Sequence, residues 1–214
     1  MTLGDVGVND SFAPISDTVY TINSYGGVLA MYYYVDADTA SMWSGSEGWY
    51  LDTEIDNYED GDTPTCQNSV TLSVGQMLVV SSATDGAAVV FSGAVASEDV
   101  ELTLDTTARN FLVNCTPVDI TLGDVAVNAS FAPISDTVYT INAYGGVEAM
   151  YYYVDADTAS MWSGSEGWYL DTEIDNYEDG DTPTCQNSVA VTAGQGLVVS
   201  SATDGAAIIL PSPL

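Results

Sequence analysis

The chain of 214 residues contains no histidine, no lysine and one arginine, Arg109. Without histidine it cannot build a Ser-His-Asp or Cys-His catalytic set, or a histidine-ligated metal site. Without lysine it cannot form a Schiff base or a P-loop. Paired carboxylates can hydrolyse glycosides, but in a chain this acidic some pair always lies at a suitable distance. We therefore expect that the protein is not an enzyme.

Acidic residues dominate the charge, since 31 Asp and Glu give a formal net charge of -30. Such a surface repels nucleic acid and anionic membranes, because it has no cations to offer to phosphates. No apolar run is long enough to span a bilayer. We expect no nucleic-acid binding, no membrane insertion and an extracellular or cell-surface location. Because the repeat begins directly after Met1, we also expect a mature or trimmed form.

Two near-copies of one block make up most of the chain. Residues 2–91 return as residues 121–210, a constant shift of 119 positions, and we call these blocks copy 1 and copy 2. The stretch between them, residues 92–120, occurs once and contains Arg109 and Cys115. The duplication indicates two modules of about 100 residues each.

Short strands separated by turn signals recur in each copy. In copy 1, Tyr25-Gly26-Gly27 is typical of a hairpin turn, and the strand that follows is rich in tyrosine. The apolar residues are those that favour strands, and no long amphipathic helix pattern is present. The pattern predicts an all-β fold with two tandem sandwich- or barrel-like modules of short antiparallel strands and minimal helix.

The once-only stretch predicts two further strands, over residues 98–105 and 110–116. Each is expected to turn its apolar residues to one face: Val100, Leu102 and Leu104 in the first strand, and Phe111, Val113 and Cys115 in the second. Because Ser92-Gly93 is a short connection, we expect these strands to fold back onto copy 1. The predicted modules are therefore residues 1–119 and a strand-deficient second module, residues 120–214.

Several strings resemble modules of uncharacterised secreted bacterial β-repeat surface proteins: TLGDV, SEGWYL, VGQMLVVSS with VVFSGAV, and FLVNCTPVDITLGDV. In those proteins a strand, a Gly-rich hairpin and an N-x-T-P turn recur in each repeat. The resemblance covers nearly the whole chain. It implies a secreted β module and carries over no catalytic residue.

An acidic stretch occurs in both copies, at residues 52–62 and 171–181. Clustered carboxylates suit calcium, which takes six to eight oxygen ligands. The spacing differs from an EF-hand, because Tyr58 stands where a ligand is expected, and a solvated acidic loop without metal is the other interpretation. The candidate ligands are Asp52, Glu54, Asp56, Asp60 and Asp62 in copy 1, and Asp171, Glu173, Asp175, Asp179 and Asp181 in copy 2.

Three cysteines allow one disulfide bond and leave one cysteine over. Cys66 and Cys185 are equivalent, and Cys115 can pair with only one of them. We expect a Cys66–Cys115 bond, because we expect the once-only strands on copy 1. Cys185 is then buried and free, or paired between subunits.

Aromatic residues cluster in the first half of each copy. They indicate core packing, a sugar-stacking platform or a protein contact, and core packing is favoured because alternation sends half of a tyrosine run inward. In copy 1 they are Tyr32, Tyr33, Tyr34, Trp43, Trp49 and Tyr50.

The duplication, the unequal supply of strands and the lack of a catalytic set predict a structural protein. We expect it to self-assemble into an extracellular filament, pilus-like fibre or surface layer through inter-subunit β-strand contacts, so that its main partner is itself. Val100, Leu102, Leu104, Phe111 and Val113 are the predicted assembly residues. The alternative is an adhesin module that binds calcium, a glycan or another surface ligand. It also stays open that the strand-deficient module is simply a terminal repeat with fewer strands.

Overall fold

The structure is a computed structural model, and it describes residues 1–23, 26–57, 63–72, 77–91, 97–114, 117–142, 146–177 and 182–212. Within these ranges short antiparallel strands dominate, and the longest helix has 7 residues. The predicted all-β class is therefore confirmed. The chain divides into two compact units, Met1–Ala94 and Val95–Leu214, which we call unit 1 and unit 2.

The boundary between the units lies before the once-only strands, which corrects the predicted division at residue 119. The strands Val100–Thr103 and Asn110–Val113 pair with strands of copy 2, at Ala207–Leu210 and Gly196–Ser200. Unit 1, rather than the second module, is therefore short of strands. The short Ser92-Gly93 connection misled the prediction, because the edge that a strand pairs with is not set by the length of the connection before it.

Unit 1 has six strands and two short helices among its described residues. The strands are β1 (Val6–Val8), β2 (Thr18–Ile22), β3 (Val28–Val35), β4 (Gly48–Leu51), β5 (Leu78–Ser81) and β6 (Val89–Phe91). The helices are α1 (Ala37–Met42) and α2 (Asp52–Asn57), and a 3₁₀ turn at Leu3–Asp5 precedes β1. One antiparallel sheet has the order β4-β3-β2-β5, and β1 pairs with β6 in a second sheet.

Unit 2 repeats this arrangement and adds strands to it. Its strands are β7 (Val100–Thr103), β8 (Asn110–Val113), β9 (Ile120–Thr121), β10 (Ala126–Val127), β11 (Thr137–Ile141), β12 (Val147–Val154), β13 (Gly167–Leu170), β14 (Ala190–Val191), β15 (Gly196–Ser200) and β16 (Ala207–Leu210). Its helices are α3 (Ala156–Met161) and α4 (Asp171–Tyr177), and a 3₁₀ turn lies at Leu122–Asp124. The sheets have the orders β13-β12-β11-β15-β8 and β10-β16-β7, and β14 pairs with β9.

Local sequence explains the elements that the two units share. In the β2–β3 turn, the Asn23 side chain accepts the N–H of Gly27 at 3.0 Å, which closes the connection. Helix α1 begins after Asp36, whose carboxylate accepts the N–H of Thr39 at 2.8 Å and so caps the helix. The equivalent contacts recur in unit 2.

A buried tryptophan connects the two sheets of each unit. In unit 1, the indole N–H of Trp49 on β4 donates to the carbonyl of Val6 on β1 at 2.8 Å. The rings of Phe12 and Tyr34 meet Trp49 edge-on, at centroid distances of 5.9 and 5.3 Å. Trp168 makes the equivalent bond in unit 2. This shared core holds β5 and β6, or β15 and β16, in equivalent places.

Candidate strand-pairing site

Strand β5 and its counterpart in β15 share the sequence Leu-Val-Val-Ser but differ in burial. Val79 and Val80 are 39% and 40% exposed, whereas Val198 and Val199 are 4% and 0% exposed. Both strands pair in the same register with their neighbour in the sheet, β2 or β11. The difference arises at the other edge, because β8 pairs with β15, while no described strand pairs with that edge of β5.

The second sheet shows the same contrast. Phe91 at the end of β6 is 54% exposed and Val90 is 51% exposed, whereas Leu210 at the end of β16 is 1% exposed. Strand β16 lies between β10 and β7, but β6 has only β1 beside it among the described strands. In each of its two sheets, the described part of unit 1 therefore lacks the strand that covers the equivalent edge in unit 2.

One segment covers both edges in unit 2. Strand β7 joins the three-stranded sheet and β8 joins the five-stranded sheet, so residues 98–114 cross from one sheet to the other, and we call them the arch. Leu104 and Leu112 of the arch are buried in the core of unit 2, and Leu102 packs against it. The backbone N–H of Leu104 also donates to the carbonyl of Ala206 at 2.9 Å. The arch thus completes a core that would otherwise end at β15 and β16.

Two asparagines hold the arch in place. The buried side chain of Asn114 donates to the carbonyl of Val191 on β14 at 3.0 Å. Asn110 accepts the N–H of Asp105 at 2.8 Å, which organises the turn of the arch, and donates to the carbonyl of Val199 at 3.3 Å. Because these bonds satisfy buried carbonyls, the arch contributes hydrogen bonds as well as apolar cover.

A buried carboxylate shows the same difference between the units. Asp17 and Asp136, each 1% exposed, accept the N–H groups of Ala13 and Ala132 at 2.8 Å through Oδ2. Asp136 Oδ1 also accepts the N–H of Ala202, just after β15, at 3.3 Å. Asp17 Oδ1 has no hydrogen-bond partner among the described residues. An unsatisfied buried oxygen is costly, and in unit 1 the segment that follows β5 does not supply the bond that Ala202 supplies in unit 2.

The two open strands carry no charge that would discourage pairing. Strand β5 reads Leu-Val-Val-Ser and β6 reads Val-Val-Phe, whereas β7, the edge strand of its own sheet, contains Glu101. Natural edge strands usually carry charges or prolines that prevent association. We call Leu78–Ser81 and Val89–Phe91 together the open edge. Such an edge can accept a further strand through main-chain hydrogen bonds.

The structure places all five predicted assembly residues on unit 2. In β7 and just after it, Leu102 and Leu104 face the core together, and Val100 lies on the same side of the alternation. The side chains of the first strand therefore have the predicted face, but they already cover β16 of their own chain.

The second strand has the opposite phase from the predicted one. Leu112 and Asn114 are buried, while Phe111 and Val113 are only partly buried. Phe111, Leu112 and Val113 form a continuous apolar run, so alternation alone does not give the phase.

Sequence reasoning also missed the open edge, because it assigned the arch to copy 1. The sequence contained no signal that decided between the copies, because short connections lie on both sides of the arch. Only the structure shows that the arch is followed by β9, whose Ile120 pairs with Val191 of unit 2.

The predicted calcium stretches begin as helices rather than as loops. Glu54 accepts the N–H of Thr65 at 2.8 Å and the side-chain amide of Gln67 at 3.3 Å, so it connects α2 to the segment that follows. Among the described residues, no group of three or more Asp, Glu, Cys or His side chains could hold a metal ion. Six candidates lie on α2 and α4, namely Asp52, Glu54, Asp56, Asp171, Glu173 and Asp175, and the others, Asp60, Asp62, Asp179 and Asp181, lie outside the described residues. A calcium site stays a prediction.

Cys66 and Cys185 are half-buried free thiols. Each packs against the cluster that contains a core tyrosine, Tyr50 or Tyr169. Cys115 lies outside the described residues. We expected a Cys66–Cys115 bond because we expected the arch to lie against copy 1. The arch lies on unit 2 instead, so the structure does not support the reason for that pairing.

Most of the clustered aromatics pack inward. The buried ones in unit 1 are Tyr32, Trp43, Trp49 and Tyr50. Tyr34 is half-buried, and its hydroxyl donates to Glu47 at 2.5 Å. Burial, and then this hydrogen bond, raise the pKa of Tyr34 to about 12. The buried rings pack in the core, as the favoured interpretation predicts. Their faces are not accessible for stacking against a sugar.

Comparison with protein-family models, curated proteins and solved structures finds no match for this chain. Among the described helices, none is long and apolar enough to cross a membrane. The function proposed below therefore rests on the geometry of the open edge.

Proposed function

We propose that the protein is a structural subunit that self-assembles into an extracellular filament, pilus-like fibre or surface layer through inter-subunit β-strand contacts. One observation carries the proposal: the open edge of unit 1 exposes apolar strands that unit 2 buries by strand pairing. Unit 2 thus provides an internal example of the same strands in their paired state.

Both burial and hydrogen bonding favour closing the open edge with an edge strand of a neighbouring copy, whose own arch stays bound to its unit 2. Full burial of a valine or phenylalanine contributes about 1.5–3 kcal/mol, and Val79, Val80, Val90 and Phe91 each have 39–54% of their surface left to bury. Each main-chain hydrogen bond adds about 0.5–1.5 kcal/mol. The entropy that is lost when the copies associate and their side chains become ordered opposes these gains, so the net binding free energy of a single contact is modest. A contact between two different surfaces repeats from copy to copy, and it grows into a fibre when the rotation between copies does not close a ring.

Charge opposes this assembly. The formal net charge of -30 makes copies repel one another at low ionic strength. Salt screens that repulsion without weakening apolar burial, so assembly should increase with salt concentration. A saline exterior suits such a subunit, and this supports the proposed extracellular location.

Electron microscopy and sedimentation at micromolar protein concentration test the proposal. The parent chain should form regular fibres or sheets in salt, and Phe91→Asp should abolish them by placing a charge on the open edge. Met42→Asp is the matched control, since Met42 is an exposed apolar residue at the end of α1, outside the open edge. If Phe91→Asp assembles as the parent does, or if the parent stays monomeric at every salt concentration, the proposed function is wrong.

A further inference from the structure

The acceptor surface of unit 2 recurs almost unchanged in unit 1. Leu78–Ser81 is identical to residues 197–200, and Val89, Val90 and Phe91 replace Ile208, Ile209 and Leu210. The strands also keep their registers with the neighbours they share, β2 or β11 and β1 or β10. Unit 1 therefore has the surface on which an arch sits in unit 2.

The arch of unit 2 shows which residues would meet this surface. On β16, Ile208 pairs with Leu102 and Leu210 pairs with Val100. The counterparts of Ile208 and Leu210 in unit 1 are Val89 and Phe91, so each apolar residue of an arch would again meet an apolar residue.

On β15, Leu197 pairs with Leu112 and Val198 pairs with Phe111. Their counterparts are Leu78 and Val79, which are identical in type. An arch in this register closes both sheets of unit 1 at once, as it does in unit 2.

The unpartnered oxygen of Asp17 is a second, independent sign that unit 1 is incomplete. Its counterpart in the unit that holds an arch accepts the N–H of Ala202. In unit 1 the equivalent donor is the N–H of Ala83, just after β5. Closing β5 with an arch should bring this segment to the position seen in unit 2 and satisfy Asp17 Oδ1.

Among the described residues there is one arch, and two surfaces fit it. The arch is bound to unit 2. Exchange of arches among copies of this chain always leaves one surface open for each chain, so it yields no net burial. An arch that fills unit 1 must therefore come from polypeptide outside residues 1–214 of the same copy or its equivalents.

We propose that the open edge of unit 1 is a binding site for a β-arch with the apolar pattern of residues 98–114, and that a polypeptide carrying such an arch caps the assembly. This proposal has two parts, the binding of an arch at the open edge and the capping of the assembly by that arch. The capping half rests on the proposed function, because only an assembly can be capped. The binding half is independent of the proposed function. The partner is defined by a first short strand that alternates aliphatic and polar residues, a second short strand with a continuous apolar run, and an asparagine at the end, as at Asn114.

A peptide of residues 97–114, added to the full chain, tests both halves. Hydrogen exchange should slow at residues 78–81 and 89–91 and stay unchanged at residues 197–200, and the peptide should stop fibre growth. The control peptide carries Leu102→Asp and Leu112→Asp, which remove its core-facing side chains. Protection confined to unit 2, or equal effects of the two peptides, would overturn the proposal.

A second variant keeps the test decisive if the free peptide binds weakly. A copy of residues 92–119 placed directly before Met1 puts an arch ahead of unit 1, in the order that unit 2 has. We expect exchange at residues 78–81 to fall to the rate of residues 197–200, and we expect no assembly. Protection supports the binding site even if the parent never assembles, whereas unchanged exchange overturns it even if the parent forms fibres. Protection together with undiminished assembly rejects the capping half.

Discussion

Val80 of unit 1 and Val199 of unit 2 lie in identical strand sequences and pair with the equivalent valines Val19 and Val138. They are 40% and 0% exposed. The local sequence, the neighbouring strand and the register are the same, so none of them explains the difference. What differs is the arch, which is present on one unit only. In this protein, local sequence determines the strand, and a distant segment determines whether the strand is buried.

Copy 1 has not become more polar where it lacks the arch. Val90 and Phe91 stand where copy 2 has Ile209 and Leu210, so all four residues are apolar. Elsewhere the copies do exchange apolar and charged residues: Leu29 is 66% exposed, and its exposed counterpart is Glu148. The apolar character of the open edge is therefore what a surface covered by a partner would have.

The largest expected contrast comes from the same substitution at the two equivalent valines. Val199→Asp buries an unpaired charge and should lower the free energy of unfolding of unit 2 by about 3–5 kcal/mol. Val80→Asp lies at the open edge and should change unit 1 by only about 0.5 kcal/mol. Hydrogen exchange resolved by unit, in dispersed protein, measures both values. Equal costs at the two sites would mean that the arch does not cause the difference in burial.

The sequence was sufficient for the fold class and the repeat, because alternation and turn residues are local signals. It was insufficient for the place of the arch, since strand pairing is non-local and the edges of β5 and β15 read identically. The sequence also did not show which residues of β8 face the core, because Phe111, Leu112 and Val113 are all apolar. The open edge could be found only once the partner of each strand was known.

A smaller contrast is expected at the buried carboxylates. Asp136→Asn turns an amide N–H towards one of two backbone N–H donors, Ala132 or Ala202, and should cost unit 2 about 1–2 kcal/mol. Asp17→Asn can place its amide where the carboxylate oxygen has no partner, so unit 1 should lose less. Denaturant unfolding followed by unit-resolved exchange gives both values. A larger loss for Asp17→Asn would contradict the missing hydrogen bond at Asp17 Oδ1.

The smallest contrast is expected in the alkaline titration of Tyr34 and Tyr153, where the two units should behave alike. The pKa of Tyr34 is raised from 10.0 to about 12 by burial and by Glu47, so stability from the neutral hydroxyl is present below pH 10 and is lost as the pH rises towards 12. Tyr153 has the same causes and the same direction in unit 2. Glu47→Gln and Glu166→Gln should lower the two tyrosine pKa values alike in an ultraviolet titration. A change in one unit alone would show that the arch also affects this part of the fold.

The most direct test of the account is hydrogen exchange of the four edge strands in dispersed and in assembled protein. In the dispersed chain, residues 78–81 and 89–91 should exchange faster than residues 197–200 and 207–210, because only the latter lie under an arch. In the assembled protein, the two strands of unit 1 should become as protected as those of unit 2. If assembly leaves the exchange of residues 78–81 and 89–91 unchanged, the open edge is not where subunits join, and the central claim is contradicted.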